Sequence, residues 1–224
     1  MAKAERARGR VIAVDGPAAS GKGTLARRLA AHYGLRHLES GALYRAVALG
    51  VLESGGQPGR REDALAAARA LRPDALEDPA LRKEEVAQGA SEVAAMPEVR
   101  RVLLDYQRRF AAHPGGAVID GRDIGTVVCP DAEAKLFVTA SLETRVGRRL
   151  KELQEQGARA IHSRVLREME ARDRRDSGRE ISPLVQAQDA VQIDTTELDA
   201  DEVFQAALAI IEEKFSREGA CPGA

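Results

Sequence analysis

The nine residues Gly16, Pro17, Ala18, Ala19, Ser20, Gly21, Lys22, Gly23 and Thr24 constrain the fold of this chain more than any other segment. They follow the continuous apolar run Val11-Ile12-Ala13-Val14 and open a stretch with Leu25 and Leu29 at helical spacing. A buried strand, a loop of small residues and an amphipathic helix, in that order, form a phosphate cradle. Small side chains let the backbone wrap an anion with its N–H groups. The helix N-terminus adds free donors and a partial positive charge. Lys22 supplies a point charge that can bridge the β- and γ-phosphates of a nucleoside triphosphate. The general motif places Ser or Thr directly after the Lys, with its hydroxyl on Mg2+. Here Gly23 stands in that position and Thr24 follows. Thr24 is therefore expected to reach a phosphate, and Mg2+ to be held mainly by ATP oxygens and water, which suits its reluctance to dehydrate.

Short apolar runs recur at 117–119, 135–138 and 191–193, with a weaker one at 35–38. Runs this short, separated by helical stretches, read as parallel strands buried on both faces. The helical patterns cover 22–33, 42–52, 142–155, 160–176 and 200–215. Alternation of this kind predicts an α/β fold with a five-stranded parallel sheet flanked by helices. Residues 56–115 break the rhythm: 61–72 and 82–111 look helical, with turns at Pro73-Asp74 and Asp78-Pro79 and a break at Met96-Pro97. The expected organisation is a core of 10–55 and 116–216, an inserted helical lobe at 56–115, an Arg-rich lid at about 150–170, and tails at 1–9 and 217–224.

Composition narrows the function. Hydrophobic residues make up 44% of the 224 positions and aromatics only 3%, so the core must be aliphatic. A formal net charge of −1 disfavours a nucleic-acid partner, which needs a concentrated positive field. The scarcity of aromatics also disfavours stacking on single strands. The N-terminus is charged, and no segment approaches the ~20 apolar residues of a membrane span. A cytoplasmic monomer acting on a small molecule is the expectation. Cys129 and Cys221 have no metal-binding spacing, so no metal ligands are expected from the protein and a reducing compartment is the simplest reading. His32, His37, His113 and His162 lie in no catalytic spacing and read as structural or surface residues.

Four segments look like parts of an acceptor site. In Glu39-Ser40-Gly41-Ala42-Leu43-Tyr44-Arg45, Ser40 reads as an N-cap, and Arg45 sits one turn in, able to point at an anion near the helix start. Asp120-Gly121-Arg122-Asp123-Ile124-Gly125-Thr126 follows the third strand, where ligands of open α/β sheets bind. There Asp120 is placed to act on Mg2+ or its waters, and Arg122 and Asp123 pair a phosphate donor with an acceptor for amino groups. Ser91 and Arg100 come from consecutive helical stretches and would pass as a solvated face. The fourth segment, 145–179, holds ten of the chain's 28 arginines. In it Arg172, Arg175 and Asp176 share a helix face, Gly178 ends that helix, and Arg179 emerges just past it. Charge on transferring phosphoryl oxygens is what such arginines stabilise best.

Together these segments resemble the bacterial cytidylate kinases, from Val11 to about Phe215. The Gly-Lys-Gly-Thr ending is typical of nucleoside monophosphate kinases. The most specific parts are Asp120 to Val128, and Arg172, Asp176 and Arg179 followed by Pro183-Leu184. The resemblance implies transfer of the γ-phosphate of ATP to CMP or dCMP. It also implies residue roles: Ser91 and Arg100 on the pyrimidine, Asp123 on the cytosine amino group, and Arg172 and Asp176 on the sugar. Arg45, Arg122 and Arg179 would surround the acceptor phosphate. Ser40 joins this substrate set. Lys22, Arg122, Arg148 and Arg179 would act on the transferring group, with Arg148 and Arg149 at the approach to the lid. Two features depart from the family: Glu39 stands where Asp is common, and the segment from Arg72 to Lys83 is too short for the small β-rich subdomain of many members. Alternatives are a kinase of the same scaffold for UMP, AMP or a non-nucleotide acceptor, a nucleotide-binding switch, and an RNA-associated ATPase.

Overall fold

The computed structural model describes residues 9–157 and 159–218. The expected tails lie outside these residues apart from Gly9, Arg217 and Glu218, as does Cys221. Five strands form one sheet: β1 (Val11–Asp15), β2 (Arg36–Glu39), β3 (Ala117–Gly121), β4 (Ala134–Thr139) and β5 (Val191–Asp194), in the order β2-β3-β1-β4-β5. β1 pairs in parallel with β3 and β4, and β4 with β5. The central strands are buried almost throughout, which is why they read as unbroken apolar runs. β2 lies at an edge and is half-buried, which explains its weaker signal.

The chain divides into two compact units: residues up to Leu38 with those from Ala111 onward, and Glu39–Phe110. In the first unit, α1 (Lys22–Tyr33) and the C-terminal helix α8 (Ala200–Glu218) pack on the sheet. Leu25, Leu29, Val203, Ala207 and Ile211 meet Ile12, Val14, Leu136 and Ile193 there. The core is aliphatic apart from Tyr33 and Phe215, whose rings meet edge-on at 5.8 Å. The helices α6 (Leu142–Glu155) and α7 (His162–Ser177) have a small apolar cluster of their own, built from Val146, Leu153, Val165 and Met169.

The second unit is helical: α2 (Ser40–Glu53), α3 (Arg61–Arg69), α4 (Glu84–Val93) and α5 (Pro97–Ala111), with 3-10 turns at Pro73–Glu77 and Pro79–Arg82. α2 and α4 pack so closely that a Cβ on Gly89 would lie 2.9 Å from the Pro58 ring and 3.3 Å from Ala48. The helix expected over 61–72 stops at Arg69, because the residue before Pro73 is driven out of the helical region. α5 begins at Pro97, whose missing N–H costs nothing at the first helical position. The 3-10 turns occupy the segment that was too short for three strands.

Candidate active site

The phosphate loop runs from the end of β1 into α1 with a backbone that few sequences tolerate. Gly16, Ala19 and Gly21 all have left-handed φ values, of 152°, 58° and 91°. At Gly16 a Cβ would lie 2.0 Å from the Val138 carbonyl oxygen, so only glycine fits. Gly21 is the N-cap of α1 and gives no side-chain cap, so the first N–H groups of the helix are left for a ligand. Ser20 Oγ is buried without a hydrogen-bond partner, a polar atom that a bound phosphate would satisfy. Lys22 Nζ folds back over the loop and donates to the Pro17 carbonyl at 3.3 Å. Thr24 Oγ1 accepts from Arg27 at 3.4 Å. These features fit a triphosphate. The Asp120 carboxylate comes close to the loop, with Oδ2 3.8 Å from where a Cβ on Gly23 would stand.

The segment after β3 is anchored by Asp15, a residue outside the expected set. Asp15, the last residue of β1, is 4% exposed and accepts from the backbone N–H of Ile124 at 2.8 Å and of Gly125 at 2.7 Å. Those bonds hold a π-type turn, Ile124–Val128, in which Val128 N–H donates to Asp123 and Cys129 N–H to Ile124. The turn fixes Asp123, itself 6% exposed, at its start. His37 on β2, expected as structural or surface, pairs with the end of β3 itself. Its Nε2 lies 2.8 Å from Asp120 Oδ1. The only signal for Asp15 in the sequence is a carboxylate closing an otherwise apolar strand.

Burial pushes the Asp15 carboxyl up to about 6; the two N–H donors pull it down, the Asp123 charge raises it further and Arg122 lowers it. The sign follows directly. Between pH 3.8 and 6 the unfolded chain loses this proton while the folded chain keeps it, so stability falls as pH rises through that window. The loss is on the order of 3 kcal/mol. Asp15→Asn is expected to flatten the stability profile between pH 4 and 6, measured as urea midpoints. An unchanged slope would remove Asp15 as its source.

Two clusters organise the arginines of the first unit. Asp176 on α7 is 2% exposed; its Oδ2 accepts from Arg122 Nε at 2.8 Å and its Oδ1 from Arg179 Nη2. Burial alone would raise the Asp176 carboxyl, but the charges of Arg122, Arg179 and Arg172 outweigh it and hold the carboxyl below its usual range. The structure thus brings together four of the expected substrate residues. Gly178 ends the helix as expected, with its N–H on the Arg174 carbonyl, and Arg175 is exposed. In the second cluster Arg148 donates to Thr195 Oγ1 at 2.9 Å and to the Thr195 carbonyl at 2.6 Å. Arg145, absent from the expected set, is 6% exposed and forks onto Asp173 at 3.1 and 2.6 Å. It also reaches the Ala18 carbonyl at 3.4 Å, so its work is to tie α6 and α7 to the loop. Arg149 pairs with Glu152.

In the second unit Ser40 is not an N-cap. β2 passes straight into α2, so Ser40 is already helical and buried, and Glu39 takes the flanking position without a cap bond. Arg45 does turn back toward the helix start, where its Nη2 donates to Glu39 Oε1 at 2.8 Å. Ser91 and Arg100 are buried, not solvated. Arg100 closes the end of α4 by donating to the Ala94 carbonyl at 3.1 Å, and its guanidinium lies 5.4 Å over the Tyr44 ring.

The family model for cytidylate kinase matches residues 12–213. This chain belongs to the cytidylate kinase family. The cytidylate kinase of Paramagnetospirillum magneticum is 58% identical over 207 residues, covering 91% of this chain and 98% of that protein. That of Methylocella silvestris is 55% identical over 202 residues, covering 90% and 94%. A crystal structure of an uncharacterized protein from Eubacterium ventriosum superposes with a TM-score of 0.54 at 18% identity. It covers 94% of this chain and 100% of that one, a likeness of fold alone. The segment Asp120 to Val128, the most specific part of the resemblance, is here the end of β3 followed by the π-type turn Ile124–Val128 that Asp15 holds. Among the described residues no helix is long and apolar enough to cross a membrane.

Proposed function

We propose that this chain transfers the γ-phosphate of ATP to CMP and dCMP, yielding ADP with CDP or dCDP. The observation that carries the reading is the family match across almost the whole chain, at 55–58% identity to two cytidylate kinases. An oxygen of the CMP phosphate attacks the γ-phosphorus in line while the bond to the bridging oxygen of ADP breaks. The attacking oxygen is already anionic, so no strong general base is needed, and positioning with charge neutralisation carries the rate.

ATP, bound with Mg2+, supplies the phosphoryl group and a metal that spreads its charge. The loop from Gly16 to Thr24 holds the triphosphate through backbone N–H groups, Ser20 and Lys22. Asp120, close to the loop, would hold waters of the Mg2+ that ATP brings. Lys22, Arg122, Arg148 and Arg179 neutralise the transferring group, and Arg45, Arg122 and Arg179 hold the acceptor phosphate. Arg172 and Asp176 address the sugar. Ser91, Arg100 and Asp123 read the base, with Ser40 in the same acceptor set. The inserted lobe expected at 56–115, most of which falls in the Glu39–Phe110 unit, serves as the acceptor-binding part, 150–170 as the lid, and the enzyme works as a cytoplasmic monomer without nucleic acid.

Asp123 decides between cytosine and uracil. A carboxylate that accepts from the cytosine amino group would face a carbonyl oxygen in UMP, and unpaired buried acceptors are how polar sites reject near-isosteres, often by 10⁴-fold or about that. The test is ADP release with Mg2+ and CMP, dCMP, UMP, AMP or no acceptor, for wild type and Asp123→Ala. Fast turnover with CMP and dCMP alone, and a CMP-to-UMP ratio that falls by about 100-fold or more in the variant, supports the reading. Equal rates across the panel would sink it.

A further inference from the structure

We propose that Thr195 is a positioning residue for phosphoryl transfer, locking the Arg148 guanidinium against the phosphate loop; this rests on the role given to Arg148 above. Thr195 immediately follows β5 and is 1% exposed. Its hydroxyl lies 3.0 Å from the Ser20 carbonyl and 3.1 Å from the Thr139 carbonyl, and shares its single proton between them. Its lone pairs accept from Arg148 Nη1 at 2.9 Å, while its own carbonyl accepts from Nη2 at 2.6 Å. The backbone N–H of Thr195 is fixed on the Thr139 carbonyl at 2.8 Å.

One residue thus grips both outer nitrogens of a guanidinium and, through the same hydroxyl, the carbonyl of a loop residue. The result is short-range: a Cβ at Gly21 would stand 3.9 Å from Arg148 Nη1. Arg148 lies on α6, whose apolar cluster with α7 is separate from the sheet core, so the bonds to Thr195 tie it to the end of β5. The grip of Thr195 replaces rotamer freedom with a set position beside the phosphates, and the guanidinium keeps further N–H groups to donate to them. Arginine forks lose less entropy per bond than lysines when held in this way.

Thr195→Val keeps the shape and the backbone bonds and removes only the hydroxyl. It is expected to lower kcat about 10- to 100-fold, the scale for a misplaced transferring-group contact, with KM for CMP unchanged within a factor of about two. Thr195→Ser restores most of the rate. In an Arg148→Ala background the Val substitution costs less than about threefold more, since its partner is gone. Thermal midpoints of all four variants establish that they fold. The proposal is overturned if Thr195→Val retains wild-type kcat, if Ser fails to restore it, or if the two substitutions multiply independently. If Arg148→Ala alone leaves kcat unchanged, the role of Arg148 falls and the proposal with it. A loss in Arg148→Ala without one in Thr195→Val removes the proposal alone.

Discussion

Lys22→Met lowers kcat about 100- to 1000-fold with ATP and CMP saturating, the scale for removing one preorganised charge from a developing anion. The side chain leaves the first turn of α1 and folds over the loop toward the Pro17 carbonyl, which sets its ammonium beside the loop proposed to hold the phosphates. Methionine keeps the length and most of the apolar stem, and the residue is half-buried at a helix start, so stability should change by less than about 1 kcal/mol. KM for CMP should move little, because the charge acts on the donor phosphates. The measurement is steady-state ADP release together with a thermal midpoint. A folded variant within about threefold of wild-type kcat would show that the helix N-terminus and the arginines suffice without the lysine.

The sequence revealed the sheet because parallel strands buried on both faces must be apolar on both faces. The runs at 11–14, 117–119 and 135–138 therefore stood out and fall inside Val11–Asp15, Ala117–Gly121 and Ala134–Thr139, though the last two were read short. The break at Met96-Pro97 was equally legible, since proline states its position locally. What escaped detection depends on partners far along the chain. Asp15 acts on amides 109 and 110 residues away, and Thr195 on a carbonyl 175 residues away. Neither has a neighbour in sequence that marks its task. Arg145 was lost for another reason: ten arginines between 145 and 179 look alike, and only the fold separates the one forked onto Asp173 from the rest. Ser40 misled because Glu39, the last strand residue, itself takes the extended position before the helix, so Ser40 is already inside the first turn. Arg172 and Asp176 were legible because helical spacing puts them on one face, Arg179 was legible as emerging just past the helix end and joined them through the family resemblance, and Arg122 joined them through the position expected of a loop after β3.

That set yields the prediction with the largest cost in stability. Asp176→Ala leaves Arg122 and Arg179, with side chains 15% and 9% exposed, facing one another without the carboxylate between them. Removing one partner of a buried ion cluster costs about 3–5 kcal/mol, because the remaining charges stay desolvated. For a chain of this size that is a fall of about 10 °C in the thermal midpoint at neutral pH. Asp176→Asn keeps an acceptor oxygen and should fall by less. The pH dependence has a defined sign. The carboxyl is held below its usual value in the fold, so its contribution is complete above pH 3.8 and is lost as pH falls below that. This window lies beneath the one set by Asp15, so the two groups separate in a pH series. Millimolar phosphate should raise the midpoint of Asp176→Ala more than that of wild type, since an anion bound between the guanidinium groups replaces the missing charge. A midpoint within about 3 °C of wild type would mean that water reaches these arginines, and their pairing would then count as a surface contact worth little.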